Sequence, residues 1–140
     1  MHVLPLMGMM SVRSKKVFLV LIGIENGDSK VDTDYIVKKT LNLRVFEDED
    51  GKMNKSLKDI EGQILLVSQF TLLGDVRKGN RPSFIKAMPP NEAKGFYDAC
   101  VDTFRSAYDK IECGQFAADM AVELVNDGPV TIMLDSRKKF

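Results

Sequence analysis

The chain has 140 residues, the size of one ordinary domain, and its 20 Lys and Arg balance 20 Asp and Glu. That balance excludes a global basic field, so any attraction for nucleic acid has to come from a local patch. The two cysteines, Cys100 and Cys113, form neither a disulfide framework nor a zinc-ligand spacing, and they point to a reducing, cytoplasmic setting. The apolar run 17–24 follows Arg13, Lys15 and Lys16, as in a signal peptide. It lacks a small-residue cleavage site, is too short for a bilayer and ends in Glu25-Asn26-Gly27-Asp28, so it predicts a buried central strand and no membrane role.

Asp32 is expected to cap a helix over 33–42, with Ile36, Val37, Thr40 and Leu41 on one face. A short strand is predicted at 43–46. In Glu47-Asp48-Glu49-Asp50-Gly51 the glycine comes too early for a calcium loop, and Asp-Gly signals a turn. Residues 64–70 predict a second apolar strand. Gly74, Arg77, Lys78, Gly79 and Arg81 give 73–82 the composition of an exposed basic loop. Pro89-Pro90 opens the longest helix, where Ala93, Phe96, Tyr97, Cys100, Val101, Phe104 and Ala107 recur at helical spacing. Cys100 falls on that stripe as a packing thiol, and Cys113 reads similarly. The end predicts a hairpin, 120–125 and 130–134, around Asn126-Asp127-Gly128-Pro129-Val130-Thr131. There Pro129 removes a ladder donor just where the second strand begins, which chain reversal alone does not require.

Chemistry is sparser. The one histidine, His2, lies at the terminus, away from any predicted site, so no Ser-His or Cys-His dyad is legible. No zinc-ligand cluster and no glycine-rich phosphate loop stand in the sequence, so neither metal nor cofactor is expected. An enzyme built on this chain works without the usual nucleophile machinery. Two stretches stand out: Ser68-Gln69-Phe70-Thr71-Leu72, where a strand ends in three hydrogen-bonding side chains around an aromatic ring, and the Gly-Pro turn. By pattern alone they are also a strand end and an ordinary turn.

Ser68-Gln69-Phe70-Thr71-Leu72, with Gly74-Asp75, Arg77-Lys78-Gly79 and Arg81-Pro82-Ser83-Phe84 after it, resembles the signature of the D-aminoacyl-tRNA (D-tyrosyl-tRNA) deacylases. Residues 126–131 resemble that family's second motif, and Leu41-Asn42-Leu43-Arg44-Val45-Phe46-Glu47-Asp48 and Gly114-Gln115-Phe116 match its habitual phrases. The similarity runs over about 17–136, with the motifs in the family's order. It implies a single α+β domain: a mainly antiparallel, barrel-like β-sheet packed with two helices.

The resemblance implies hydrolysis of the ester joining a D-amino acid to the terminal ribose of tRNA. Ser68, Gln69, Phe70 and Thr71 would line the cleft, with the N–H groups of Phe70 and Thr71 on the developing oxyanion. It implies a homodimer in which a cis Gly128-Pro129 enters the partner's cleft and rejects L-residues sterically. Arg77, Lys78 and Arg81 become the tRNA-binding patch, against the alternative of a solvated charged loop. Phe116 and Met120 would border the terminal adenine, although core packing explains both equally well. Either Thr71 or a water is the nucleophile, and the absence of a base favours water. Two departures stand out. Residues 1–16 read as an atypical leader before a family-like domain at 17–140, in place of the family's first strand, and Ala117 stands where the family commonly has glycine. The competing function is a catalytically silent tRNA- or DNA-binding homologue, since some eukaryotic relatives are linked to replication origins.

Overall fold

The computed structural model describes residues 1–10, 15–127 and 130–139. In chain order it has strands β1 (His2–Met10) and β2 (Lys15–Gly23), helix α1 (Lys30–Asn42), and strands β3 (Phe46–Glu47), β4 (Met53–Lys55) and β5 (Gln63–Ser68). A 3-10 turn (Phe70–Leu73), helix α2 (Pro90–Ala107) and strands β6 (Ile111–Cys113) and β7 (Leu134–Asp135) follow. One sheet runs in the order β6-β5-β2-β1-β7, and β3 and β4 form a separate hairpin.

The sheet is mixed, where an antiparallel, barrel-like one was expected. β2 pairs antiparallel with β1 but parallel with β5, and β5 is parallel to β6. The cause lies in the connections: α1 intervenes between β2 and β5, and α2 between β5 and β6, and a helical crossover returns the chain in the same direction. The apolar run seen in the sequence is the sheet's centre. Phe18, Val20 and Ile22 belong to the helix-covered core with Ile64, Leu66, Ile36, Leu41 and Phe104, while the alternate residues Leu19 and Leu21 point to the opposite face.

The amino-terminal segment is part of this sheet. From His2↔Gly23 to Met10↔Lys15 it pairs along the whole of β2, so the sheet has a first strand where an atypical leader was expected in place of one. Strand pairing asks only for backbone donors and acceptors, and β7 meets β1 at His2 and Val3. The Met1 ammonium is buried, 3.1 Å from Asp28 Oδ1 and 3.0 Å from Ser136 Oγ. His2 lies with its Nδ1 3.6 Å from the buried Asp135 carboxylate.

Local readings shift by a few residues. α1 starts at Lys30, capped by Ser29, and Asp32 is the third helical residue, whose carboxylate accepts the Ser29 N–H at 2.9 Å to complete a capping box. The strand expected at 43–46 contracts to β3. Asp48 organises the acidic turn itself, accepting the N–H groups of Asp50 and Lys52 and the Asn54 side chain, which together hold its carboxyl below the usual range. In place of the terminal hairpin, 120–127 is irregular apart from one bridging residue, Val125, and the last strand joins β1 instead. Cys100 is buried as read, its thiol pushed up to about 12 by burial, whereas Cys113 is exposed. Among the described residues no helix is long and apolar enough to cross a membrane.

Candidate active site

The sheet face away from the helices is the floor of a cleft of about 870 Å³. Leu19 and Leu21 from β2 and Val67 from β5 form that floor, and Ser68, Gln69 and Phe70 stand where β5 leaves the sheet. A continuous apolar run thus serves two faces at once, one under helices and one under the cleft. A rim forms where residues 24–26 pair with 86–88: the Met88 N–H donates to the Ile24 carbonyl and the Asn26 N–H to the Lys86 carbonyl, each at 2.9 Å. Phe116 and Met120 make the facing wall.

The turn that presents Gln69 is seated on the end of β2. The Gln69 N–H donates to the Ile22 carbonyl at 2.7 Å, and a Cβ on Gly23 would lie 3.1 Å from Leu72 Cβ and 3.2 Å from the Gln69 carbonyl oxygen. The glycine is what lets the two segments touch. Phe70 and Thr71 then open the 3-10 turn, and the first donors of such a turn have no partner within it. Phe70 is 58% exposed and meets the edge of Phe84 with centroids 5.0 Å apart. Gly74 makes room for that ring, since a Cβ there would stand 3.1 Å from Phe84 Cε1.

Of the residues named from sequence, Ser68, Gln69, Phe70, Phe116 and Met120 come together around the cleft. Thr71 is exposed and does not line it; its Oγ1 instead takes a short hydrogen bond from Gln69 Nε2. Met120 keys into Gly114, where a Cβ would lie 2.8 Å from its sulfur. Arg77, Lys78 and Arg81 are exposed on a loop closed by the Asp75–Ser83 bridge. Arg77 is paired: its Nε lies 2.9 Å from Asp75 Oδ1, and these hydrogen bonds hold the Asp75 carboxyl far below the usual range. Gly128 and Pro129 lie outside the described residues. Ala117, on the cleft rim, has φ of 56°, the left-handed region that favours glycine.

Sequence reasoning missed Leu19, Leu21, Val67, Phe84 and Met88 as cleft residues. For the first three the signal was present, because a strand apolar on both faces needs a second apolar surface against it. Among the described residues no group of three or more His, Cys, Asp or Glu is placed to hold a metal ion.

Fold and cleft together define a single α+β domain whose site is furnished by main-chain, amide and hydroxyl groups on an apolar floor. Residues 8–135 match the family model described as D-Tyr-tRNA(Tyr) deacylase. The chain is 54% identical over 126 residues to the D-aminoacyl-tRNA deacylase of Clostridium novyi (strain NT), covering 90% of this chain and 85% of that protein. It is 54% identical over 133 residues to the one from Syntrophomonas wolfei, covering 95% and 89%. Among solved structures it superposes on the c-Myc DNA Unwinding Element Binding Protein with a TM-score of 0.86 at 41% identity, over 96% of this chain and 98% of that one. It shares its fold with a probable eukaryotic D-amino acid tRNA deacylase, with a TM-score of 0.75 at 19% identity over 96% and 98%. The chain belongs to the D-Tyr-tRNA(Tyr) deacylase family.

Proposed function

We propose that the protein hydrolyses the ester of D-aminoacyl-tRNA, releasing free D-amino acid and tRNA and leaving L-aminoacyl-tRNA intact. The observation that carries this reading is the cleft at the end of β5, where Ser68, Gln69 and Phe70 adjoin an apolar floor facing Phe116 and Met120. In the reaction, water oxygen bonds to the acyl carbon, the carbon–oxygen bond to the ribose breaks, and a proton passes to the departing ribose oxygen. The N–H groups of Phe70 and Thr71 take the oxyanion, because donors at the start of a turn are already oriented when charge develops. Water is the nucleophile. Among the described residues the hydrogen-bond partner of the Thr71 hydroxyl is the Gln69 amide, and an amide is no general base in either orientation.

Phe116 and Met120 hold the terminal adenine, and Arg77, Lys78 and Arg81 meet the acceptor-stem phosphates. Two copies form the working unit, with a cis Gly128-Pro129 from one reaching the cleft of the other, where main-chain oxygens receive the amino group of a D-residue and an L side chain has no room. Exposed Phe70, Val76 and Ile85 beside the cleft supply apolar surface for such a contact; Ile85 is 85% exposed. The cell compartment consistent with charged tRNA is the cytoplasm.

Incubation with D-tyrosyl-tRNA and L-tyrosyl-tRNA tests the reading: selective loss of the D ester supports it, and equal or absent loss overturns it. The likeness to the c-Myc DNA Unwinding Element Binding Protein favours a second reading, a silent tRNA- or DNA-binding homologue. Binding without cleavage would select it.

A further inference from the structure

We propose that Tyr97 is a positioning residue for the cleft, its hydroxyl locking the strand end that leads to Ser68 and its ring backing Phe116. The inference deepens the deacylase reading and rests on it. Tyr97 is carried on the buried face of α2 and is only 2% exposed, yet its hydroxyl reaches the sheet. It donates to the Leu66 carbonyl at 3.1 Å and lies 3.4 Å from the Gly114 carbonyl. The same Leu66 carbonyl accepts the Gly114 N–H at 2.8 Å. One phenol therefore closes the point at which β5 and β6 part, two residues before Ser68 on one side and two before Phe116 on the other.

The ring has a separate task. Its centroid is 5.8 Å from that of Phe116, at an interplanar angle of 39°. Phe116 lines the cleft on one side, and on its other side it lines a second cavity of about 450 Å³ that Tyr97, Val101 and Gly114 also border. With open volume behind it, Phe116 keeps its place in the cleft wall because Tyr97 stands there. Any buried phenol needs a hydrogen-bond partner; this one finds it on the two backbones that carry the site.

The two tasks separate by substitution. Tyr97→Phe keeps the ring and loses the tie, so kcat on D-tyrosyl-tRNA should fall about threefold to tenfold with KM within about twofold, because the reacting geometry loosens while the adenine wall stays. Tyr97→Leu removes the ring as well, and KM should rise about fivefold or more, with Tyr97→Phe serving as the conservative variant that retains the original KM. Amide hydrogen exchange at Gly114 and Phe116, faster in Tyr97→Phe at unchanged global stability, reads the same tie without relying on turnover. Variants that lower only thermal stability, with kcat, KM and local exchange as in the parent, overturn the proposal. Parent protein that leaves D-tyrosyl-tRNA intact overturns the deacylase reading, while the exchange measurement still decides whether Tyr97 holds the strand ends.

Discussion

A Cβ placed on Gly23 would lie 3.2 Å from the carbonyl oxygen of Gln69, so the last residue of β2 is in contact with the turn that opens the cleft. The other close neighbour is Leu72 Cβ at 3.1 Å, and neither is the free end of a flexible side chain. Gly23→Ala should therefore displace the turn, with a cost of about 1–3 kcal/mol in stability from overpacking. Turnover of D-tyrosyl-tRNA should fall about tenfold or more, since small displacements of reacting groups are costly. Denaturant unfolding and steady-state kinetics check the two effects.

Ala117 carries the opposite opportunity. Its φ of 56° is strained for any residue with a Cβ. Ala117→Gly should raise stability by about 0.5–1 kcal/mol after the larger unfolded-state entropy of glycine is subtracted. A higher melting temperature by calorimetry is the expected result.

The basic loop answers to salt. Lys78→Ala and Arg81→Ala should each weaken tRNA binding and reduce the slope of log affinity against log salt by about one. Arg77 differs because Asp75 competes for its guanidinium with Nη2 2.5 Å from Oδ2. Asp75→Asn should therefore tighten binding at low salt, by up to about fivefold given the modest worth of exposed pairs. Filter binding across a salt series measures both.

His2 predicts an acid limb. Burial lowers its affinity for a proton below the ordinary value of 6.5, outweighing the attraction of Asp135. The unfolded chain then takes up the proton first as pH falls, so this contribution is intact above about 6.5 and is lost progressively below it. Urea unfolding of the parent and His2→Gln should converge in pH dependence near neutrality and diverge below about 6, with the parent losing more.

The two thiols should differ in reactivity. Cys100 is buried with its thiol raised to about 12, whereas Cys113 is exposed. In the native protein an aromatic disulfide reagent should modify Cys113 alone, and Cys113→Ser should abolish the native reaction while leaving the unfolded chain one reactive thiol.

Much of the local structure was legible because its causes are local. The run around Val20, the Pro89-Pro90 start of α2, its stripe through Tyr97, Cys100 and Phe104, and the Asp48 turn follow from residue type and spacing within a few positions. Ser68-Gln69-Phe70 stood out for its hydrogen-bonding groups, but residue type alone left it a strand end, and only the resemblance to the deacylases marked it as a cleft motif. Which strand lies beside which was decided only in three dimensions: β5 beside β2 in parallel, β7 on β1, and residues 2–10 recruited into the sheet. Backbone ladders accept nearly any sequence, so no short window names its own partner. The same limit left open which face floors the cleft: a run apolar on both faces calls for a second apolar surface, but whether Leu19 faces helices or open space depends on where α1 and α2 pack. It also hid the withdrawal of Thr71 toward Gln69 and the exposure of Cys113, both of which are set by neighbours distant in the chain or by the path the backbone takes once the sheet is formed.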